Sequence, residues 1–379
     1  MFLLKEASAV AREPDIAATV DAVDRYLLAA AGPVRFRQTR NSADASVEIA
    51  AYGGLHGLGL TQALVPEAQG GSGLAPGVVA LIGERLGHSL AREPFVENVV
   101  LPVTLLLELR ATQLLAAVGA GGIFCVAWQE GPFALPGTSP IKTAVTRQAA
   151  GLWLRGIKRF VMGARASTLM LVLATFEGES VLACIRSSSA NRQDKILADG
   201  TCWSNVEFDL AIAPQDLFAR GAQCLSALTR ALDHSNLALA GLLHGLQSRI
   251  LEMTLDYLGT RVQFDKPLGA FQALQHRAVE LYNHAQITRF LLGEAIDATT
   301  AEVPAETLAA YASRAKARAA EAALRIAREG IQMHGGIGFS DEYDLGLYVK
   351  RILVLSAWLG GAAWHRGRYA QLATAGSEA

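Results

Sequence analysis

Two segments of the chain combine residue types that suit a cofactor carrying phosphate. The first, Arg261–Gln272, reads Arg-Val-Gln-Phe-Asp-Lys-Pro-Leu-Gly-Ala-Phe-Gln, and the second, Gln332–Phe339, reads Gln-Met-His-Gly-Gly-Ile-Gly-Phe. A guanidinium group matches phosphate oxygens in a fork geometry. Paired glycines let the backbone approach a cofactor where a Cβ atom would collide with it. Together the two segments predict contacts with a cofactor of this kind.

Both segments are embedded in sequence with helical periodicity. Apolar residues recur at steps of three and four from Leu239 to Tyr257 and again from Phe271 to Ala285, a pattern that predicts amphipathic helices. Two further helices are expected from Ala305 to about Gln332 and from about Tyr343 to Leu372. Because long amphipathic helices bury their apolar faces against each other, residues 219–379 are predicted to form a four-helix bundle.

The rest of the chain divides into a helical part and a β part. Residues 1–118 show apolar side chains at helical spacing, as at Ile16 and Val20. In residues 119–218, the stretch from Val206 to Ile212 alternates between apolar and mostly polar side chains, which is typical of a half-buried strand. The predicted fold class is α with a small β domain, arranged as an N-terminal all-α domain (1–118), a middle antiparallel, β-barrel-like domain (119–218) and the C-terminal bundle (219–379).

Composition and charge narrow the function classes. With 379 residues, 51% of them hydrophobic, the chain can bury a large core. Its formal net charge of -1 provides no overall attraction to nucleic acid or to an acidic membrane surface. The apolar N-terminal stretch is too short for a signal peptide and no stretch reads as a membrane span, so we expect a cytoplasmic protein. The scattered cysteines and histidines lack metal-ligand spacing, and the cysteines are expected to be buried free thiols.

The two segments, and the order of helical domain, β domain and bundle, resemble the acyl-CoA dehydrogenase family. That resemblance implies FAD as cofactor, an acyl-CoA substrate oxidised to the enoyl-CoA, an oligomer, and an electron-transferring flavoprotein as acceptor. It implies that Arg261, Phe264 and Gln272 reach the pyrophosphate and adenosine side of FAD. It also implies that a neighbouring subunit supplies the second segment, whose matching residues are Gln332, Gly335 and Gly336.

Each of these residues also has a purely structural interpretation. Arg261 suits a solvated or ion-paired arginine, Phe264 a core aromatic residue, and Gln272 a surface amide. The glycines of the second segment suit a helix C-cap, a role that is compatible with cofactor contact. Asp265 stands where the family usually has glycine, and its carboxylate would repel a pyrophosphate unless it turned towards solvent.

The catalytic base of the family has no counterpart at the expected positions. Oxidation of an acyl thioester needs a carboxylate to remove the α-proton, but the usual glutamate position falls on Leu359, in Trp-Leu-Gly-Gly. The alternative position used by some members falls on Ser235. Asp233 lies two residues away and should project to the far side of its helix; an exposed capping or solvating aspartate is the favoured interpretation. The catalytic residue is therefore left unassigned.

The middle domain departs from the family pattern near the flavin ring. Ala127 and Met162 stand where the family has hydroxyl side chains, and neither can donate a hydrogen bond. Phe160 can still stack on the flavin, although a core position within the β domain is an equal alternative. Groups expected to hold the ADP part of FAD are thus better preserved than groups expected around the reacting ring.

Three hypotheses about function remain open from the sequence. The leading one is an FAD-dependent acyl-CoA dehydrogenase, active alone or within a homo- or hetero-oligomer. The second is a subunit without its own base that completes the FAD site of a related chain, as in the heteromeric acyl-CoA dehydrogenases of steroid side-chain breakdown. The third is a DNA-associated flavoprotein of the same fold, which the near-neutral charge disfavours.

Overall fold

The computed structural model describes Leu4 and residues 7–42, 44–149, 151–301 and 303–375. Its helices are α1 (Pro14–Ala30), α2 (Pro33–Thr39), α3 (Ser46–Gly57), α4 (Val78–His88), α5 (Leu101–Glu108), α6 (Thr112–Gly119), α7 (Gln223–Thr260), α8 (Gln272–Asp297), α9 (Ala305–His334), α10 (Leu345–Ala357) and α11 (Ala362–Ala375). Its strands are β1 (Phe124–Ala127), β2 (Ala144–Gln148), β3 (Gly151–Met162), β4 (Leu169–Phe176), β5 (Glu179–Arg186), β6 (Asn191–Ile196), β7 (Cys202–Ile212), β8 (Leu217–Arg220), β9 (Val262–Gln263) and β10 (Lys266–Pro267).

The chain forms two compact units, each built from separate stretches of sequence. The first contains Met1–Arg40, Ala75–Arg92 and Asn236–Ala379, and the second contains Asn41–Leu74 and Glu93–Ser235. These units are groups of residues that contact each other in the folded chain. The predicted domains 1–118, 119–218 and 219–379 are instead defined by the periodicity of the sequence. The three-domain division stays a prediction.

The sheet lies in the second unit and is mixed. Its strands follow the order β6-β7-β3-β2-β4-β5-β8, and β1 pairs with β4. Most pairs are antiparallel, as predicted, but β1 and β2 each run parallel to β4, and no pairing joins β6 to β8 among the described strands. In β7, Val206 and Phe208 are buried while Glu207 and Asp209 are exposed, so the alternation read from the sequence reflects one buried face.

The predicted fold class is confirmed, with a change in the last helix. The stretch from about Tyr343 to Leu372 was expected to be one helix, but α10 ends at Ala357 and α11 begins at Ala362. By length and composition alone, Leu345–Thr374 could cross a membrane, contrary to the expectation that no stretch would. Half of its most apolar 18-residue stretch is buried inside the fold. Buried core helices can have the same length and apolar composition.

Glycines allow α4 and α7 to pack with their backbones in close contact in the first unit. A Cβ atom at Gly241 of α7 would lie 2.1 Å from the carbonyl oxygen of Ala80 in α4, and one at Gly87 of α4 would lie 2.1 Å from that of Leu242. These distances are shorter than van der Waals contact. The approach of the two helices therefore requires glycine on both of them.

A buried carboxyl group lies in this contact. Glu84 of α4 is fully buried, its Oε1 accepts a hydrogen bond from the Leu4 amide at 2.8 Å, and the Nε2 atom of His244 lies 3.4 Å away. Burial raises the pKa of Glu84 to about 8, because an ionised carboxylate loses its hydration there. Glu84 is therefore mostly protonated at neutral pH.

We expect Gly241→Ala to lower the free energy of unfolding by about 1–3 kcal/mol, the usual cost of overpacking. The matched control is Gly346→Ala on α10, where a Cβ atom would meet open space. This control should raise stability by about 0.5–1 kcal/mol, since alanine favours helix more than glycine does. Denaturant unfolding followed by circular dichroism measures both, and equal effects of the two substitutions would contradict the packing argument.

We expect the stability of the wild type to fall with rising pH relative to Glu84→Gln. Between the ordinary pKa of 4.5 and the raised value of about 8, the folded chain keeps a proton that the unfolded chain releases, so stability is highest below this window. The slope should reach about 1.4 kcal/mol per pH unit. Urea unfolding at pH 5, 6, 7 and 8 measures this slope. The control Glu306→Gln, which changes an exposed glutamate, should keep the slope of the wild type. If Glu84→Gln also kept it, Glu84 would not be the group responsible.

Candidate functional site

The segment that begins with Arg261 forms a short hairpin between α7 and α8. The two-residue strands β9 and β10 pair antiparallel, and the amide of Leu268 donates to the carbonyl of Arg261 at 2.8 Å, closing the base of the hairpin. The Arg261 side chain is exposed. Within the described residues its guanidinium has no hydrogen-bond or ion-pair partner, so the ion-paired interpretation finds no support there.

The hairpin turn places two residues other than glycine in the left-handed region. Phe264 has φ 54° and Asp265 has φ 62°, as in the tight two-residue turns that match the twist of antiparallel strands. Aspartate tolerates this conformation better than most residues, which explains how it can replace the family's glycine. For phenylalanine the conformation is strained, and strain of this kind is concentrated at functional sites.

Phe264 is not a core residue. Its side chain is 84% exposed, and its ring meets Phe271 edge-on at 6.2 Å between centroids. The interpretation of Phe264 as a core aromatic is therefore wrong. Gln272 is exposed as well and is the first residue of α8, where free backbone amides and the helix dipole attract phosphate oxygens.

The second segment ends α9 and is also open to solvent. Gln332, Gly335 and Gly336 are exposed. Gly335 has φ 65° and its amide donates to the carbonyl of Ile331, so the C-cap interpretation holds for this residue. Gly336 has no positive φ, and a Cβ atom there would meet nothing within 4 Å. Packing and backbone conformation within the chain therefore do not explain glycine at position 336.

Stacked rings bring the two segments to the same end of the bundle. Tyr257, one helical turn before Arg261, stacks on His334 with centroids 4.5 Å apart. His334 immediately precedes Gly335, and its Nε2 lies 3.1 Å from the hydroxyl of Tyr343. The predicted phosphate ligand and the predicted adenine-side turn thus belong to one surface of the first unit.

Phe160 lies in the second unit at an irregularity of the sheet. The pairing of β3 with β7 shifts register between Lys158 and Val161, and Phe160 has φ 57°. Its side chain is 39% exposed and lies 4.8 Å from the ring of Trp203. A bulge of this kind redirects a side chain out of the regular alternation, which leaves Phe160 with an accessible ring rather than a fully buried one.

A buried ion pair fixes the chain beside Phe160. The ammonium of Lys158 lies 2.6 Å from Glu130, which also accepts amide hydrogens from Lys142 and Thr143. Burial lowers the pKa of Lys158 to about 8. For Glu130, burial alone would raise the pKa, but these hydrogen bonds outweigh it and hold the pKa below the ordinary value.

The usual base position is closed and apolar. Leu359 is 3% exposed with φ 54°, and its carbonyl oxygen lies 3.0 Å from Nε2 of His365. The same turn contacts Lys316 of α9, which is fully buried. Its Nζ donates to the carbonyls of Leu355 (3.0 Å), Ser356 (3.3 Å) and Gly360 (3.3 Å). Burial lowers the pKa of Lys316 to about 7.

The alternative base position is also occupied by a group without basic character. Ser235 is fully buried and its hydroxyl donates to the carbonyl of Ala231 at 2.7 Å. Asp233 contradicts its prediction: it lies in the interior of α7 and is only 5% exposed, so it is neither a capping nor an exposed aspartate. Helical periodicity alone could not reveal this, because α7 is buried on most of its circumference here.

The cysteines are free thiols, as expected from the sequence. All four cysteines are free; Cys125, Cys202 and Cys224 are buried and Cys184 is half-buried. Burial raises the pKa of Cys125 to about 12, which makes its thiol unreactive. Among the described residues, no group of three or more His, Cys, Asp or Glu side chains could hold a metal ion.

Known proteins are similar to this chain in the sequence of the bundle and in the fold. A family model described as acyl-CoA dehydrogenase, C-terminal domain, matches residues 225–373. Acyl-CoA dehydrogenase IpdE2 of Mycobacterium tuberculosis is 40% identical over 107 residues, which are 28% of this chain and 31% of that protein. The matched region therefore spans less than a third of this relative's own length.

Two solved structures show that the likeness of fold extends over nearly the whole chain. A chain of the ChsE4–ChsE5 complex from Mycobacterium tuberculosis has a TM-score of 0.80 and 23% identity, covering 97% of this chain and 98% of that one. A glutaryl-CoA dehydrogenase from Mycobacterium smegmatis, in complex with FADH2, has a TM-score of 0.82 and 18% identity, covering 96% and 95%. The sequence match over residues 225–373 and the shared fold confirm the predicted resemblance to the acyl-CoA dehydrogenase family.

Proposed function

We propose that this chain is an FAD-binding subunit of an acyl-CoA dehydrogenase, and that the base for acyl-CoA oxidation comes from a related partner chain. The single observation that carries the proposal is a contrast within the molecule. The residues matched to the ADP part of FAD are exposed at one end of the bundle, whereas both base positions hold buried groups that cannot take a proton, Leu359 and Ser235.

The residues present fit FAD. Arg261 offers an unengaged guanidinium for the pyrophosphate, and the N-terminus of α8 at Gln272 adds backbone amides. Gly336 leaves open the space that a Cβ atom would fill, which suits the close approach of an adenine ring. Phe160 would lie against the isoalloxazine ring, and Gln332 and Gly335 of a neighbouring subunit would complete the adenine end. When bound, the flavin supplies the acceptor for the hydride that leaves the β-carbon.

Exposed apolar side chains support an oligomer. On α8, Val279 is 57% exposed, Ile287 49% and Phe290 61%, and they share one broad side of the helix. Such a surface on a folded chain marks a protein interface. The partner is a second copy or, for the base-bearing role, a related subunit, as the ChsE4–ChsE5 name indicates for that complex. An electron-transferring flavoprotein is the proposed acceptor of the electrons.

A second candidate is a self-sufficient dehydrogenase, and the burial of Asp233 favours it. A carboxylate that is 5% exposed within the fold is a better candidate base than the exposed aspartate expected from sequence. This candidate predicts turnover by the isolated chain and its loss in Asp233→Asn.

Turnover with and without a partner separates the two candidates. We expect the isolated chain, saturated with FAD and supplied with an artificial electron acceptor, to oxidise none of a panel of acyl-CoA thioesters. Co-expression with a related chain that keeps the glutamate should give activity that depends on that glutamate and is unaffected by Asp233→Asn. Robust turnover by the isolated chain, abolished in Asp233→Asn, would instead establish the second candidate.

We expect Arg261→Ala to weaken FAD binding about tenfold or more, since it removes a charge-assisted contact to phosphate. Quenching of flavin fluorescence during titration measures the Kd, in the complex if the isolated chain binds weakly. The matched control is Arg25→Ala, which removes an exposed arginine from α1. Equal affinity of the wild type and Arg261→Ala would remove the basis of the proposed cofactor site.

We expect Phe264→Gly to raise the free energy of unfolding by about 1 kcal/mol while weakening FAD binding. Glycine adopts the positive φ at this position without strain. Removal of the phenylalanine ring loses little buried apolar area, because the ring is largely exposed. Thermal unfolding and the FAD Kd measure the two effects. Asp265→Gly is the control, because it relieves the neighbouring φ without removing a ring; a loss of stability in Phe264→Gly would show that the ring is held by packing.

A further inference from the structure

Arg37 of the short helix α2 and Arg40, the residue that caps its C-terminus, contact the loop that follows the twin-glycine segment. Arg37 and Arg40 lie three positions apart and therefore share one face of the helix. Phe36 is 2% exposed and anchors α2 in the first unit. The loop is Ser340–Asp344, which connects the turn Gly335–Phe339 to helix α10.

Arg37 binds the backbone of this loop as well as a side chain. Its Nε and Nη2 donate to the carbonyl oxygen of Asp341 at 3.2 and 3.0 Å, and Nη2 also donates to that of Glu342 at 3.1 Å. Its Nη1 lies 2.5 Å from Oδ1 of Asp344. One guanidinium thus holds three residues of the loop, through the carbonyl oxygens of Asp341 and Glu342 and the carboxylate of Asp344.

Arg40 adds a bidentate pair. Its Nη1 and Nη2 donate to the two carboxylate oxygens of Asp341 at 2.8 and 2.5 Å. Hydrogen bonding by Arg40 lowers the pKa of Asp341 to about 2, so the pair stays ionised across the whole working pH range. The fork geometry defines the orientation of Asp341 as well as its distance.

The turn Gly335–Phe339 is therefore held at both ends. Before it, His334 stacks on Tyr257 and its Nδ1 bonds the carbonyl of Gly330 at 2.7 Å. After it, Tyr343 reaches back to His334, and the two arginines hold the flanking residues. Between these fixed points Gly336, Ile337 and Phe339 remain exposed, with little packing of their own to define the shape of the turn.

We propose that Arg37 and Arg40 are positioning residues that hold the Gly335–Phe339 turn in the shape that receives the adenine end of FAD. The inference rests on the proposed function, and it assigns a role in cofactor binding to a helix that contains none of the predicted ligands. Because Asp341 and Asp344 are partly solvated, these ion pairs contribute little to global stability. Instead, the ion pairs define the geometry of the Gly335–Phe339 turn.

The test uses the full chain, in complex with its partner where that is needed for FAD binding. The double substitution Arg37→Ala/Arg40→Ala should raise the FAD Kd about tenfold and speed amide hydrogen exchange in residues 335–344 by a similar factor, as the loss of charge-assisted hydrogen bonds predicts. The midpoint of thermal unfolding should stay near that of the wild type. Arg35→Ala is the matched control, since Arg35 is exposed on the same helix and has no hydrogen bond to the described residues 340–344.

A charge exchange separates positioning from mere folding. Arg40→Asp alone should weaken FAD binding, and combining it with Asp341→Arg should restore most of it. Wild-type affinity in the double alanine variant, or unchanged exchange in residues 335–344, would overturn the positioning role while leaving the FAD site in place. Failure of the wild type itself to bind FAD would overturn both the role and the proposed function.

Discussion

The stack of His334 on Tyr257 is the contact on which the candidate site depends. It joins the last turns of α7 and α9, so that the arginine hairpin and the twin-glycine turn emerge from one end of the bundle. Nδ1 donates to the carbonyl of Gly330, and in the neutral imidazole Nε2 accepts from the hydroxyl of Tyr343. Burial lowers the pKa of His334 and so keeps the ring in this form at neutral pH.

Three of the candidate positions have a backbone conformation that is strained for residues other than glycine. Phe160, Phe264 and Leu359 all have positive φ, although none is glycine and two of them are aromatic residues with exposed rings. Gly336 shows the converse, because it is a glycine that neither backbone conformation nor packing demands. Gly87 and Gly241 differ from it, because glycine is needed where α4 and α7 touch.

The environment of the family's base position explains why this chain is proposed to depend on a partner. Leu359 is enclosed, and its turn is held by the buried Lys316 and His365. Lys316 in effect caps the C-terminus of α10, where its hydrogen bonds to carbonyls satisfy groups that the helix leaves free. These contacts define the shape of the turn and leave the apolar side chain of Leu359 enclosed within it.

The sequence by itself determined the helical bundle and the half-buried strand at Val206–Ile212, because periodicity and residue type are local properties. It also singled out the two segments that are predicted to contact a cofactor. It also established that Leu359 and Ser235 cannot act as bases. Only the tertiary structure decided which side of a helix is covered, and this is why Asp233 and Lys316 proved to be buried. It alone brought Arg37 to Asp344, 307 positions away, and divided the last helix at Ala357. These features depend on contacts between distant parts of the chain, which no local pattern of residues records.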